Sequence, residues 1–206
     1  MSDSRSDFTE SWLTEMPMGI GKMGVSFFHT MLYSLKDYIQ HGGNITTLPN
    51  GYKKMFGQQV AYYWHETSDT IDLIVELTVK PQALVVNGIS KNPKGCTIHA
   101  TDMYNAILKD NHKSIRLMSD EKLSDQGYAL WKRLLSIGHR ITVYDKNNPG
   151  APIQTVDSIE DMDNFYKLGD TSATKWQFVL SESNEKLAEA RSYFNTYRMR
   201  KLSGLL

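Results

Sequence analysis

Ile71-Asp72-Leu73-Ile74-Val75-Glu76-Leu77-Thr78-Val79 is the stretch on which the reading of the fold turns. Its apolar residues recur at every second position, so Ile71, Leu73, Val75, Leu77 and Val79 share one face of an extended strand. Asp72, Ile74, Glu76 and Thr78 take the other face. Upstream, Gln58 to His65 is rich in aromatic and β-forming residues, and Thr67-Ser68-Asp69 has turn chemistry, so the two segments read as a hairpin. Downstream, past Lys80-Pro81, Ala83 to Ile89 is apolar on both faces and reads as a central strand.

The same pattern continues to Asp145. A loop from Ser90 to His99 carries Lys91-Asn92-Pro93-Lys94-Gly95. Thr101 can cap a helix through Leu108, whose apolar side is Met103, Tyr104, Ile107 and Leu108. Ser114 to Met118 is a short strand. Leu123-Ser124-Asp125 then opens a helix that turns Leu130, Trp131, Leu134 and Leu135 inward and ends at Gly138. Arg140 to Tyr144 is the next strand, and Asn147-Asn148-Pro149-Gly150 reads as a turn. Strand, helix, strand, helix, strand at this spacing predicts parallel neighbours joined by crossovers, with helices on the sheet faces.

The flanks are simpler. Residues 1–24 read as an N-terminal extension, in which Phe8, Trp12, Leu13 and Met16 recur at helical spacing until Pro17. Met18 to Gly24 reads as a glycine-containing connector, without the full fingerprint of a nucleotide loop. Residues 25–206 read as one domain. It opens with a helix from Ser26, a candidate N-cap, to Gln40, and Gly42-Gly43 stops that helix. Asn44 to Leu48 is a short strand before the turn Pro49-Asn50-Gly51. Ser158 to Lys167 reads as a helix and Lys175 to Leu180 as a strand. Leu187 to Phe194 pairs as a hairpin or belongs to a terminal helix from Asn184, and Arg198-Met199-Arg200-Lys201 makes a short basic tail.

Composition narrows the classes. The 206 residues are 40% hydrophobic and 11% aromatic, with 23 basic against 23 acidic side chains, which fits a globular protein and argues against a dedicated nucleic-acid binder. Contact with nucleic acid would have to use local charge at Lys53, Lys54 and the basic tail. The single cysteine, Cys96, excludes an intrachain disulfide and a cysteine-rich zinc site, and the six histidines show no metal spacing. No apolar run approaches the ~20 residues of a membrane span, so a soluble protein made without export is expected.

The element order, from about residue 25 to 180, resembles the GNAT acyltransferase fold: an α/β protein whose mixed central sheet is antiparallel in its N-terminal half, has parallel crossovers in its C-terminal half, and is flanked by helices. Ser124-x-x-Gly127-x-x-Leu130-Trp131, followed by Gly138-His139, is similar to the family pattern Asn-x-x-Ala-x-x-Leu-Tyr with a later Gly-Phe. Ser119-Asp120, the Leu-Ser-Asp helix start and Leu-Trp-Lys-Arg-Leu are similar to GNAT-like proteins of tailed bacteriophages. The resemblance implies acetyl-coenzyme A as cofactor, with its pyrophosphate at a loop and helix N-terminus, its pantetheine arm between splayed strands, and an unidentified amine as acceptor. Carried onto this chain, it implies cofactor contacts at Lys91, Asn92, Lys94, Gly95, Thr101, Ser124 and Trp131, and no metal. The loop departs from the family's Gln/Arg-x-x-Gly-x-Gly/Ala pattern, and Trp131 stands where the family's hydroxyl-bearing tyrosine would be. Glu76, mid-strand beside Asp72 and Thr78, is the candidate base. The alternative is a non-catalytic GNAT-like phage protein, a protein-binding module or virion component, since a fold can outlive its chemistry. A phage-encoded chain would act in the host cytoplasm or the virion.

Overall fold

A computed structural model describes residues 20–68, 70–111, 115–120, 123–166 and 175–181. The expected helix near Phe8, the hairpin or helix after Asn184 and the basic tail lie outside these residues. The chain is α/β, built on a mixed nine-stranded sheet in the order β1-β2-β3-β4-β5-β6-β9-β7-β8. Helix α1 (Ile20–Gln40) leads into β1 (Ile45–Thr47), β2 (Tyr52–Phe56), β3 (Val60–Thr67), β4 (Thr70–Lys80) and β5 (Ala83–Lys91). Helix α2 (Ala100–Asp110), β6 (Arg116–Met118), α3 (Asp125–Ser136), β7 (Arg140–Asp145), β8 (Asn148–Val156), α4 (Ile159–Asp163) and β9 (Trp176–Ser181) complete it.

Strands β1 to β5 form an antiparallel run, and β5 then pairs parallel with β6, as the crossover through α2 requires. The second crossover differs from the expected arrangement. Strand β9 lies between β6 and β7, antiparallel to both, so the two strands joined through α3 are not neighbours. Sequence order cannot reveal a late strand that returns to the middle of a sheet.

Both sheet faces are buried. On one face, Leu73, Val75, Leu77, Leu84 and Val86 pack with Met103, Tyr104 and Ile107 of α2 and with Trp131, Leu134 and Leu135 of α3. On the other, Phe28, Met31 and Leu35 of α1 close over Met55, Tyr62, Trp64 and Ile74. Ile71 belongs with this second cluster, not with Leu73 and Val75 as strict alternation predicts. Leu73 pairs with His65 and Ile71 with Glu66, so Asp72 is an extra residue in β4, and the bulge flips the faces beyond it.

Several boundaries shift for identifiable reasons. Helix α1 covers Ile20–Gln40, so Ser26 and the end of the supposed connector lie inside it. Strand β2, unassigned from sequence, carries the charged pair Lys53 and Lys54, one neutralised by a residue of β3 and the other by the end of α2. Lys53 Nζ donates to Glu66 at 2.8 Å, and Lys54 Nζ donates to Asp110 at 2.7 Å. Tyr63 also donates to Asp110, at 2.6 Å, tying the end of α2 to the sheet. Residues 148–150 belong to β8 and not to a turn, because Pro149 and Pro152 are tolerated on this edge strand. Helix α4 is shorter than expected but keeps its predicted cap: Ser158 Oγ accepts from the Asp161 amide at 3.0 Å.

Trp131 is 1% exposed, with Tyr104 and Phe178 rings 6.2 and 6.1 Å away. Trp131→Ala is expected to lower unfolding free energy by about 3–5 kcal/mol in urea denaturation, the range for truncating a large buried aromatic.

Candidate functional site

The second bulge builds the site. In the β4–β5 pairing Leu77 lies opposite Val86 and Glu76 opposite Gly88, so Asn87 is the extra residue. A bulge bends its strand and re-aims the neighbouring side chains. Strand β5 pairs with β6 only through Ala83, Leu84 and Val85, opposite Arg116, Leu117 and Met118. Past Met118 the chain stays with β9: Ser119 donates its amide to the Phe178 carbonyl at 2.8 Å, and its Oγ accepts from the Phe178 amide at 3.0 Å. From Val86 to Lys91, β5 therefore has no strand partner on its β6 side among the described residues.

Beside this bulge is a cavity of ≈ 220 Å³ lined by Phe27, Thr30, Met31, Ser34, Glu76, Asn87 and Gly88. Glu76 is half-buried, and both its oxygens are positioned. Tyr62 donates to Oε2 at 3.0 Å, and Asn87 Nδ2 to Oε1 at 3.3 Å. Thr78 in turn donates to Asn87 Oδ1 at 2.9 Å, which fixes the amide so that its nitrogen faces Glu76. Burial first, and then the Glu76 charge, push the Tyr62 hydroxyl well above the usual phenol range, so it keeps its proton and serves as a donor. Each Glu76 oxygen retains a further lone pair for a ligand N–H.

The remaining expected site residues lie elsewhere. Lys91 is the last residue of β5, paired with Leu73, and Ser90 lies in the same strand, so the loop starts at Asn92 and not at Ser90. Asn92 organises the start of that loop. Its amide donates to the Asp72 carbonyl at 2.7 Å, and its Nδ2 donates to the Ile71 carbonyl at 2.9 Å. Its Oδ1 accepts from the Lys94 amide at 2.9 Å, and its carbonyl from the Gly95 amide at 3.1 Å. The loop amides are thus bonded within the chain. Gly95 has φ +146°, which suits glycine, and Lys91 and Lys94 are exposed.

Thr101 is buried in the second position of α2; the N-cap is His99, whose amide donates to Asp102 at 3.1 Å. The helix start therefore carries its own carboxylate. Ser124 caps α3, its Oγ accepting from the Gly127 amide at 3.1 Å. Trp131 lies in the core, and Ser124 and Trp131 are not among the residues that line the Glu76 cavity.

The sequence names Glu76 as a candidate base but not the residues around it. Tyr62 is signalled by its pairing position opposite Glu76 once the hairpin register is known. Asn87 and Phe27 carry no local signal, because the bulge and the helix crossing that place them are tertiary.

A second polar cluster secures the loop. Asp72 is 5% exposed and accepts from Thr97 Oγ1 at 2.6 Å, Thr67 Oγ1 at 3.0 Å and His65 Nδ1 at 3.2 Å. Burial alone would raise its pKa; these hydrogen bonds outweigh that and hold the carboxyl below the usual carboxylate range. Cys96 Sγ donates to the Ile98 carbonyl at 3.3 Å, a packing role. Among the described residues, no group of three or more His, Cys, Asp or Glu side chains could hold a metal, and no helix is long and apolar enough to cross a membrane.

No family model matches the chain, and no curated protein matches it. A solved chain described as "Putative acetyltransferase from GNAT family from Bacteroides thetaiotaomicron" aligns with 91% of this chain and 96% of its own length, at 11% identity and a TM-score of 0.35.

Asp72→Ala is expected to speed hydrogen exchange across residues 92–98 and to cost about 3 kcal/mol of stability, because three donors lose a buried charged acceptor. Exchange mass spectrometry and urea denaturation read the two effects.

Proposed function

We propose that this chain is a GNAT-like N-acyltransferase, in which Glu76 takes the proton from an amine that attacks an acyl-coenzyme A. The observation that carries the reading is the Glu76 carboxylate, aimed by Tyr62 and Asn87 into a cavity beside the bulge of β5. An ammonium in that cavity would hand a proton to Glu76, and the neutral amine nitrogen would then be free to form the new C–N bond. When bound, the coenzyme supplies the acyl group and a thiol leaving group. The edge of β5 from Val86 to Lys91 suits an extended, amide-bearing arm, since alternate backbone groups of a strand face an unpaired side. Lys91 and Lys94 would offset phosphate charge at the end of that edge. The sheet order, with its one parallel neighbour pair, agrees with the resemblance to the GNAT fold.

A second reading is favoured by a specific observation. The amides of Asn92, Lys94 and Gly95 are already bonded, and Asp102 stands at the α2 N-terminus where phosphate would have to sit. A non-catalytic GNAT-like protein, acting as a protein-binding module or a phage virion component, needs no phosphate site.

Calorimetry with acetyl-coenzyme A separates the two. The acyltransferase reading expects binding below millimolar concentration, and Glu76→Gln is expected to keep that binding while lowering acyl transfer about 100-fold or more. Absence of binding at millimolar ligand overturns it in favour of the second reading.

A further inference from the structure

We propose that the cavity under α1 selects a monocationic amine with a compact apolar body, an aryl- or branched alkylamine, over amino acids and polyamines. This rests on reading Glu76 as the amine-facing carboxylate, and adds the charge count and shape of the walls.

Among the described residues, seven line the cavity and Glu76 is the only charged one of them. One ammonium is therefore matched by one carboxylate. An amino acid would bring its own carboxylate into the same small space, facing Glu76 with no cation among the described lining residues to meet it. Like charges in a half-buried site repel strongly, because solvent screens them less than at the surface. A polyamine would present further ammonium groups that the lining cannot pair.

The walls set the body of the ligand. Phe27 and Met31 supply the apolar surface, and Thr30, Ser34 and Asn87 the polar one. The cavity, ≈ 220 Å³, is somewhat larger than the roughly 150 Å³ space that accepts benzene and smaller than the ~300 Å³ at the low end of ligand pockets. It fits one ring or a short branched chain with its ammonium. Phe27, 44% exposed, sits at the rim. A Cβ placed on Gly88 would lie 2.7 Å from Phe27 Cζ, so the ring rests directly over the glycine and could not keep this position above any other residue. An aromatic face at the rim also attracts a cation.

The experiment uses the full chain without acetyl-coenzyme A, titrated in a calorimeter with phenethylamine, phenylalanine and spermidine. Phenethylamine is expected to bind at least tenfold tighter than either competitor. Glu76→Gln, checked for folding by circular dichroism, is expected to weaken phenethylamine at least tenfold. Gly88→Ala leaves Glu76 in place but displaces the Phe27 ring, and is expected to weaken it severalfold. Equal affinity for phenylalanine, tighter binding of spermidine, no phenethylamine binding, or unchanged affinity in both variants overturns the proposal. Acetyl-coenzyme A binding is measured separately. Its absence overturns acyl transfer alone, whereas lost amine selectivity with coenzyme binding intact overturns only the amine class.

Discussion

One extra residue in β5 governs the rest of the structure. Asn87 interrupts the antiparallel ladder between Val86 and Gly88, and that single irregularity has three consequences. The strand bends at the point where its three-residue pairing with β6 has ended. The Asn87 amide comes within hydrogen-bond distance of Glu76. Gly88 comes under the Phe27 ring, which a Cβ there would displace.

The second bulge, at Asp72, has the opposite effect. There the extra residue brings a carboxylate inward, and the threonines at 67 and 97 and His65 satisfy it. A buried carboxylate without such partners would cost several kcal/mol, so the cluster is stable only as a whole. It fixes the segment after β5 through Thr97, while Asn92 fixes the start of the same segment through Ile71 and the Asp72 carbonyl. One bulge opens the sheet and the other closes the loop beside it. That contrast leaves a cavity beside Glu76, whereas the amides of Asn92, Lys94 and Gly95 in the loop expected to receive phosphate are already engaged.

Much of this frame was legible in the sequence because it depends on local periodicity. The alternation from Leu73 to Val79, the two-sided apolarity of Ala83 to Ile89, the helix start at Leu123-Ser124-Asp125 and the cap at Ser158 each specify an element without reference to the rest of the chain. The place of Glu76 in mid-strand was legible for the same reason, on the face that the alternation shares among Asp72, Ile74, Glu76 and Thr78. What was not legible depended on pairing at long range. Lys53 and Lys54 do not look like strand residues until their ion pairs with Glu66 of β3 and Asp110 at the end of α2 are known. Asn147-Asn148-Pro149-Gly150 reads as a turn until β8 is known to be an edge strand among the described residues. Asp72 sits in an alternating pattern and Asn87 in a stretch read as apolar on both faces, and only the registers of β3 with β4 and of β4 with β5 reveal them as extra residues. Trp131 matched a motif by position, but its environment is the core.

Deleting Asn87 tests the role of the bulge most directly, because it regularises the ladder while leaving the same residues opposite one another on either side of the deletion. A folded protein is expected, by circular dichroism and urea denaturation, in which β5 runs straight, the cavity is closed and phenethylamine no longer binds. A folded deletion variant that binds phenethylamine with the affinity of the intact chain would show that the bulge does not build the site.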